Sequence, residues 1–245
     1  MAALTKELTV GKPLTLILNF TLPLLLGNLL QQTYSLVDAV IVGRFLGIDA
    51  LASVGASTSV VFLILGFCNG CCGGFGIPVA QKFGARDYAE MRRYVFVCLR
   101  LAAVMSIALA VVTSMLCGII LRIMQTPETI FRGAYAYLLV TFIGIPCTFY
   151  YNLLACVIRA LGDSRTPFCF LLFSTVLNIV LDLVCILLLG WGVAGAGIAT
   201  VFSQGVSAWL CYRYMMRRFE VLRSPPEERR YNGRLARRLL SIGVP

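Results

Sequence analysis

The chain has 245 residues, of which 59% are hydrophobic and only 13% charged, with a mean hydropathy of +0.87. A soluble domain carries roughly 25% charged residues, so this composition excludes an ordinary soluble enzyme and predicts a protein embedded in lipid. The net charge of +10 does not indicate nucleic-acid binding, because the basic residues lie in loops between apolar runs; membrane lipid with anionic headgroups is the expected partner.

Six apolar runs are long enough to cross a bilayer as helices, which takes about 20 residues each. They are predicted at 14–43, 50–78, 94–121, 133–157, 167–189 and 194–215. We therefore expect an all-α membrane protein built as a six-transmembrane-helix bundle. The expected organisation is a cytoplasmic N-terminus at 1–13, the six-helix lobe at 14–215, a basic cytoplasmic loop at 216–238 and the start of a truncated seventh helix at 239–245.

The first run contains an acidic residue, Asp38, which costs about 2.5–3.5 kcal/mol at the centre of a membrane helix. Polar residues here recur at steps of three, four and three, which predicts a stripe turned toward protein or water. They are Asn28, Gln31, Ser35 and Asp38. The alternative is an aspartate at the helix end, because Asp38 comes late in its run. Pro23 removes a backbone hydrogen bond and is a candidate helix hinge or a packing feature.

The second run is rich in glycine, which permits close helix packing, and holds Cys68, Cys71 and Cys72. A C-x-x-C motif can serve metal or redox chemistry, but the chain has no histidine and no second pair of this kind. We interpret these cysteines as small, weakly polar residues inside a membrane helix.

The last three runs continue the pattern of polar positions. In the fifth run, Asn178 and Asp182 are four residues apart, so the amide and the carboxylate share one helix face with Ser174. The positions singled out in the neighbouring runs are Asn152 and the hinge candidate Pro146 in the fourth, and Thr200 and Gln204 in the sixth. Interhelical hydrogen bonds, worth about 0.6 kcal/mol each, explain scattered hydroxyls better than they explain two carboxylates.

The two carboxylates suit the binding of a small cation. In a low-dielectric interior, Asp38 and Asp182 can hold a proton, or their oxygens can bind Na⁺ together with Asn178 and Thr200. We expect further polar side chains to line the same cavity, namely Gln31, Ser35, Asn152, Ser174 and Gln204. Loading and unloading a cation changes the local charge and can bias two arrangements of the helices. Nothing in the sequence calls for an organic cofactor.

Lysine and arginine are distributed unequally between the two sides of the predicted bundle. Seventeen of the 21 lie in the N-terminus, the second and fourth loops and the tail, against three on the other side. Because basic residues accumulate on the cytoplasmic side, both ends are expected in the cytoplasm, with a multi-pass protein in the plasma (inner) membrane.

Four stretches resemble the multidrug and toxic compound extrusion (MATE) family of secondary transporters. They are DAVIVGRFLG at 38–47, RALGDSRTP at 159–167, NIVLD at 178–182 and GAGIATVFSQ at 195–204. The resemblance implies one lobe, the N-terminal one, of a twelve-helix fold whose two lobes are related by an axis along the membrane normal. It implies export of drugs and organic or amphiphilic cations, driven by inward H⁺ or Na⁺ flow. Asp38, Asn178, Asp182 and Thr200 match the family's cation-site pattern.

The resemblance leaves the other lobe unaccounted for. The segment at 239–245 echoes 17–23, as if a second repeat began there, so the expected partner is a missing C-terminal lobe or, alternatively, a second copy. Transport by this chain alone is therefore not expected. Two other functions stay open: a lipid or oligosaccharide-lipid flippase, which would need cationic residues that the runs almost lack, and an intramembrane aspartyl protease, whose flanking glycine signature is missing.

Overall fold

The computed structural model describes residues 13–222 and 233–243. Within these ranges the chain forms α1 (Pro13–Leu46), α2 (Ile48–Gly84), α3 (Tyr88–Ile123), α4 (Glu128–Ile143), α5 (Ile145–Ala160), α6 (Arg165–Leu183), α7 (Gly192–Arg218) and α8 (Gly233–Gly243). A π-helical turn, Val184–Leu188, extends α6, and a 3₁₀ turn, Glu220–Leu222, follows α7. Residues 1–12 of the predicted N-terminus, 223–232 of the predicted loop and 244–245 lie outside the described residues.

Several of these helices have the length and apolarity of membrane spans. They are α2, α3, α7, and α6 with its π-turn, together with α4 and α5 taken as one bent span. Helix α1 is not among them, although its 34 residues extend about 50 Å, more than a span requires. The outer faces are apolar: Val104, Ile107 and Val111 are exposed along α3, as lipid contact allows and water does not. The predicted all-α membrane fold is confirmed.

The fourth predicted run is broken rather than straight. Helices α4 and α5 meet at 47° on either side of Gly144. Pro146 lies in the first turn of α5, where its missing N–H costs no helical hydrogen bond. Pro23, the other hinge candidate, lies inside α1, which continues across it. The two prolines thus stand in different settings, one at a break and one within a helix.

A single residue, Gly47, joins α1 to α2. Its φ of 90° falls in the left-handed region, which an L side chain rarely adopts. The reversal therefore needs glycine at this position, and it sends α2 back along α1.

The buried side chains form two clusters of unequal size. The larger is centred on α2, α3 and α5, where Phe75, Tyr94 and Phe149 are fully buried. The smaller joins α1, α2, the π-turn and α7, and it includes Ile41 and Val42. Since these two residues follow Asp38 by three and four positions, the smaller cluster packs beside the face of α1 that carries Asp38.

Helix α8 begins earlier than the hydropathy of the tail indicates. It starts at Gly233, inside the predicted loop at 216–238, while α7 continues past 215 to Arg218. The reason is packing, because Ala236 and Leu239 are buried in the larger cluster. Gly74 of α2 contacts the end of α8 so closely that a Cβ there would lie 2.7 Å from the Ile242 carbonyl oxygen.

Candidate functional site

The two membrane-embedded aspartates meet inside the bundle. Asp38 of α1 is 6% exposed and Asp182 of α6 is 0% exposed. Their carboxyl groups lie within hydrogen-bonding range of each other. Asp38 stands within α1, well before its end at Leu46, rather than at a helix terminus. Asp38 Oδ1 and Asp182 Oδ1 are buried and have no hydrogen-bond partner among the described residues.

Asn178 connects the acidic pair to α7. With its amide in the orientation that satisfies both ends, Nδ2 donates to Asp182 Oδ2 at 3.0 Å, and Oδ1 accepts the backbone N–H of Thr200 at 3.1 Å. Asn178 is fully buried, one helical turn before Asp182. The amide therefore ties the carboxylate to the neighbouring helix.

Two tyrosines that the sequence analysis did not single out complete the surroundings. The Tyr34 hydroxyl lies 2.8 Å from Thr200 Oγ1, so α1, α6 and α7 are joined by one chain of polar groups. Tyr137 of α4 lies close enough to interact electrostatically with both carboxyl groups. Tyr34 had a sequence signal, since it precedes Asp38 by one helical turn; Tyr137 had none, because its run is aromatic-rich throughout.

Ser174 and Gln204 lie on the same pair of helices, one turn from Asn178 and Thr200 respectively. Both are buried, and Gln204 Oε1 has no hydrogen-bond partner among the described residues. The register is antiparallel, because Asn178 meets Thr200 while Ser207 Oγ donates to the Phe170 carbonyl at 3.4 Å. Ser174 and Gln204 therefore lie at one level between α6 and α7, adjoining the site.

The remaining cavity candidates lie elsewhere. Gln31 of α1 and Asn152 of α5 line a separate small cavity of about 50 Å³, which also includes Arg159 and Pro23. Ser35 is exposed, and its hydroxyl donates to the Gln31 carbonyl of its own helix at 3.2 Å. The predicted stripe on α1 therefore does not all reach the carboxyl pair.

The chemistry of the site suits the binding of a cation. Two carboxyl groups in contact repel each other when both are ionised, so a proton or a cation between them stabilises the arrangement. The unpartnered oxygens, with the nearby amide and hydroxyl, are hard ligands of the kind Na⁺ accepts. Among the described residues no group of three or more cysteine, aspartate and glutamate side chains is placed to hold a metal ion, and Cys68, Cys71 and Cys72 are free and buried.

Comparison with known proteins places this geometry in context. Residues 23–184 match the family model described as MatE. The chain is 32% identical over 243 residues to the probable multidrug resistance protein YpnP of Bacillus subtilis (strain 168), covering 98% of the chain and 53% of that protein. It is 35% identical over 233 residues to the probable multidrug resistance protein YoeA of the same organism, covering 92% and 50%.

The fold has a solved counterpart. A MOP superfamily transporter from Pyrococcus furiosus superposes with a TM-score of 0.90 at 23% identity, over 99% of this chain and 54% of that one. The chain thus spans about half the length of the proteins it matches.

Proposed function

The chain belongs to the MATE family, and from that premise we propose that it forms one six-helix lobe of a cation-coupled exporter of drugs and organic cations. The family consists of transporters and not enzymes. The observation that carries the proposal is the buried contact between Asp38 and Asp182, with Asn178 and Thr200 beside them. No organic cofactor takes part; the coupling ion, H⁺ or Na⁺, is cargo.

The acidic pair can bias the packing of the helices. Two unit charges about 4 Å apart repel by about 4 kcal/mol at an effective dielectric constant near 20. Moving a two-state equilibrium from 1:99 to 99:1 takes about 5.5 kcal/mol. Release of the cation from between Asp38 and Asp182 therefore supplies much of the free energy needed to favour a second arrangement of α1, α6 and α7.

A second half is needed to enclose the substrate. Polar side chains are exposed on adjacent helices, including Gln32 of α1 and Asn69 of α2. Uncovered amides are costly against lipid, so this face is suited to a water-filled chamber shared with another six-helix lobe, or with a second copy of this chain.

Drug efflux tests the proposal in the complete product of the gene that encodes this chain. In bacteria without their own multidrug exporters, the protein should lower ethidium accumulation. At equal membrane abundance, Asp38→Asn or Asp182→Asn should raise the accumulation to that of cells carrying the empty vector. Asp49→Asn is the matched control, because Asp49 is exposed at the start of α2 and should tolerate the change. Unchanged efflux in both buried-aspartate variants would refute the mechanism.

The coupling ion is identified in inside-out membrane vesicles. If protons drive transport, a protonophore should stop ethidium uptake; if sodium drives it, removal of Na⁺ should do so. Uptake that survives both treatments contradicts coupling at the acidic pair.

We place the lobe in the plasma membrane with both ends in the cytoplasm, on the distribution of its basic residues. Green fluorescent protein, which does not fluoresce when exported through the general secretion pathway, should be fluorescent on either end. Loss of fluorescence at one end only, with the fusion intact, would contradict an even number of crossings.

A further inference from the structure

One stripe of α7 changes character along its length. Its first part is apolar, its middle is aromatic and its last part is cationic. The side chains follow steps of four, four, three, four and four, so they lie on one helix face: Ile198, Phe202, Val206, Trp209, Arg213 and Arg217.

The apolar part of this stripe borders a groove of about 780 Å³. Val140 of α4 and Cys147 of α5 form the opposite wall, and the lining contains no charged side chain. Gly205 lines the bottom of the groove, where a Cβ would lie 3.5 Å from Cys147 Sγ and would occupy part of the space. From Ile198 to Trp209 the groove runs about 16 Å along α7, close to the roughly 15 Å of hydrocarbon in one leaflet.

The cationic part lines a second cavity, of about 570 Å³, between α6 and α7. Arg213, Arg217 and Arg218 contribute to it, and Trp209 lines both cavities, so the two meet at the indole ring. The Arg213 guanidinium carbon stands 5.0 Å from the centre of that ring. Among the side chains that the structure describes, none of the three arginines forms a salt bridge.

We propose that this face of α7 binds one anionic phospholipid, with an acyl chain in the apolar groove and the phosphate against Arg217 and Arg218. Guanidinium groups bind phosphate oxygens in pairs, and a tryptophan commonly lies at the boundary between headgroups and hydrocarbon. Along α7 the stripe passes from apolar to aromatic to cationic side chains, which is the order of acyl chain, interface and anionic headgroup across one leaflet. The proposal goes beyond ion coupling, because none of these residues contacts the acidic pair.

Charge decides between a lipid and other occupants. A zwitterionic phospholipid would fill the groove, but it brings no net negative charge to the arginines. A peptide segment would place backbone polar groups in hydrocarbon unless it were helical, and an uncharged one would leave the arginines without a partner. An anionic phospholipid satisfies the apolar and the cationic parts together.

Tryptophan quenching tests the proposal directly. The chain has two tryptophans, so Trp191→Phe, with phenylalanine at any tryptophan elsewhere in the complete gene product, leaves Trp209 as the only reporter. The variant is reconstituted in phosphatidylcholine bilayers with a minor fraction of dibrominated phosphatidylglycerol, or the same fraction of dibrominated phosphatidylcholine, since bromine quenches indole on contact. We expect about fivefold stronger relative binding of phosphatidylglycerol, equivalent to about 1 kcal/mol, the size expected for one arginine at an anionic surface.

Two matched variants, each checked for unchanged helical content by circular dichroism, decide what causes the preference. Arg217→Gln with Arg218→Gln should abolish it, while Arg237→Gln with Arg238→Gln, an equal change of charge at exposed positions on α8, should keep it. Equal quenching by the two brominated lipids overturns the proposal. So does a preference that survives the α7 substitutions, or one that the α8 substitutions remove equally.

Discussion

Asp38 of α1 and Asp182 of α6 bring their carboxyl groups within hydrogen-bonding range in the interior of the bundle. Each retains a buried oxygen without a partner among the described residues. Two bare carboxylates in contact repel each other, so a proton or a cation between them would stabilise the pair. In the proposed mechanism the charge of the site is therefore linked to the packing of α1 against α6.

Asn178→Ala removes the amide that donates to Asp182 and accepts from the Thr200 N–H. Because Asn178 is fully buried, the groups left unpaired should lower the free energy of unfolding by about 1–3 kcal/mol. Thermal unfolding in detergent measures this. Asn152→Ala is the control, since among the described residues the Asn152 amide donates only to the Thr148 carbonyl of its own helix, at 2.9 Å; equal losses in both variants would contradict a special role for Asn178.

Tyr34→Phe keeps the ring but removes the hydroxyl that lies 2.8 Å from Thr200 Oγ1. Loss of one buried hydrogen bond, about 0.5–1.5 kcal/mol, should slow drug efflux by about two- to tenfold if the bond is made in the working state. Initial rates of ethidium efflux measure it. Tyr135→Phe should have no effect, because that ring stacks on Phe131 and is exposed; a wild-type rate in Tyr34→Phe would show that the bond is dispensable.

Asp163 anchors the start of α6 to α7. Its Oδ1 accepts the N–H groups of Arg165 and Thr166 at 3.1 Å, and its Oδ2 accepts the Tyr214 hydroxyl at 2.8 Å. Asp163→Ala should destabilise the fold by about 1 kcal/mol for the lost cap, with a further loss for Tyr214. Asp163→Asn keeps an oxygen acceptor and should recover most of the loss in a thermal unfolding assay. If asparagine is no better than alanine, the acceptor geometry is not what stabilises α6.

Asp87 makes α3 sensitive to acid. The Glu90 N–H, donating to Asp87 Oδ1 at 3.2 Å, and to a smaller extent Lys82, hold the pKa of Asp87 below its usual range. A carboxyl whose pKa is lower in the folded state stabilises the fold above the unfolded-state pKa, near 3.9, and this stability is lost as the pH falls through the lower folded-state value.

The melting temperature of Asp87→Ala should therefore fall below that of the wild type at pH 7, and the gap should narrow in acid. Asp87→Asn caps α3 without charge. Its melting temperature should differ from that of Asp87→Ala by an amount that does not change with pH. If the difference in melting temperature between the wild type and Asp87→Ala were equally constant with pH, this would contradict an ionised cap.

Gly74→Ala tests the contact between α2 and α8. The added Cβ would lie 2.7 Å from the Ile242 carbonyl oxygen, so α8 should be displaced at a cost of about 1–3 kcal/mol. Gly70→Ala, one turn earlier with nothing within 4 Å of its Cβ, is the matched control and should be neutral or stabilising. Limited proteolysis measures the displacement. Equal cleavage in both variants would contradict the packing of α8 described above.

Hydropathy and periodicity determined most of the architecture. The apolar runs predicted helices because a membrane span depends only on local composition, and a four-residue step put Asn178 and Asp182 on one face without knowledge of any neighbour. The family resemblance then predicted the lobe. The start of α8 was not predicted, because it depends on the burial of Ala236, Leu239 and Gly243 against other helices, and this contact is not visible in the hydropathy of the tail.

Tertiary structure alone decided which polar residues come together. A helical stripe specifies directions about its own axis, whereas the meeting of Asp38 with Asp182, and of Tyr34 with Thr200, depends on how α1, α6 and α7 are rotated and tilted against one another. The same packing separates Gln31 and Asn152 into another cavity and brings in Tyr137 from α4. The sequence by itself thus determined which side chains are polar within the membrane, and helix packing determined which of them come together.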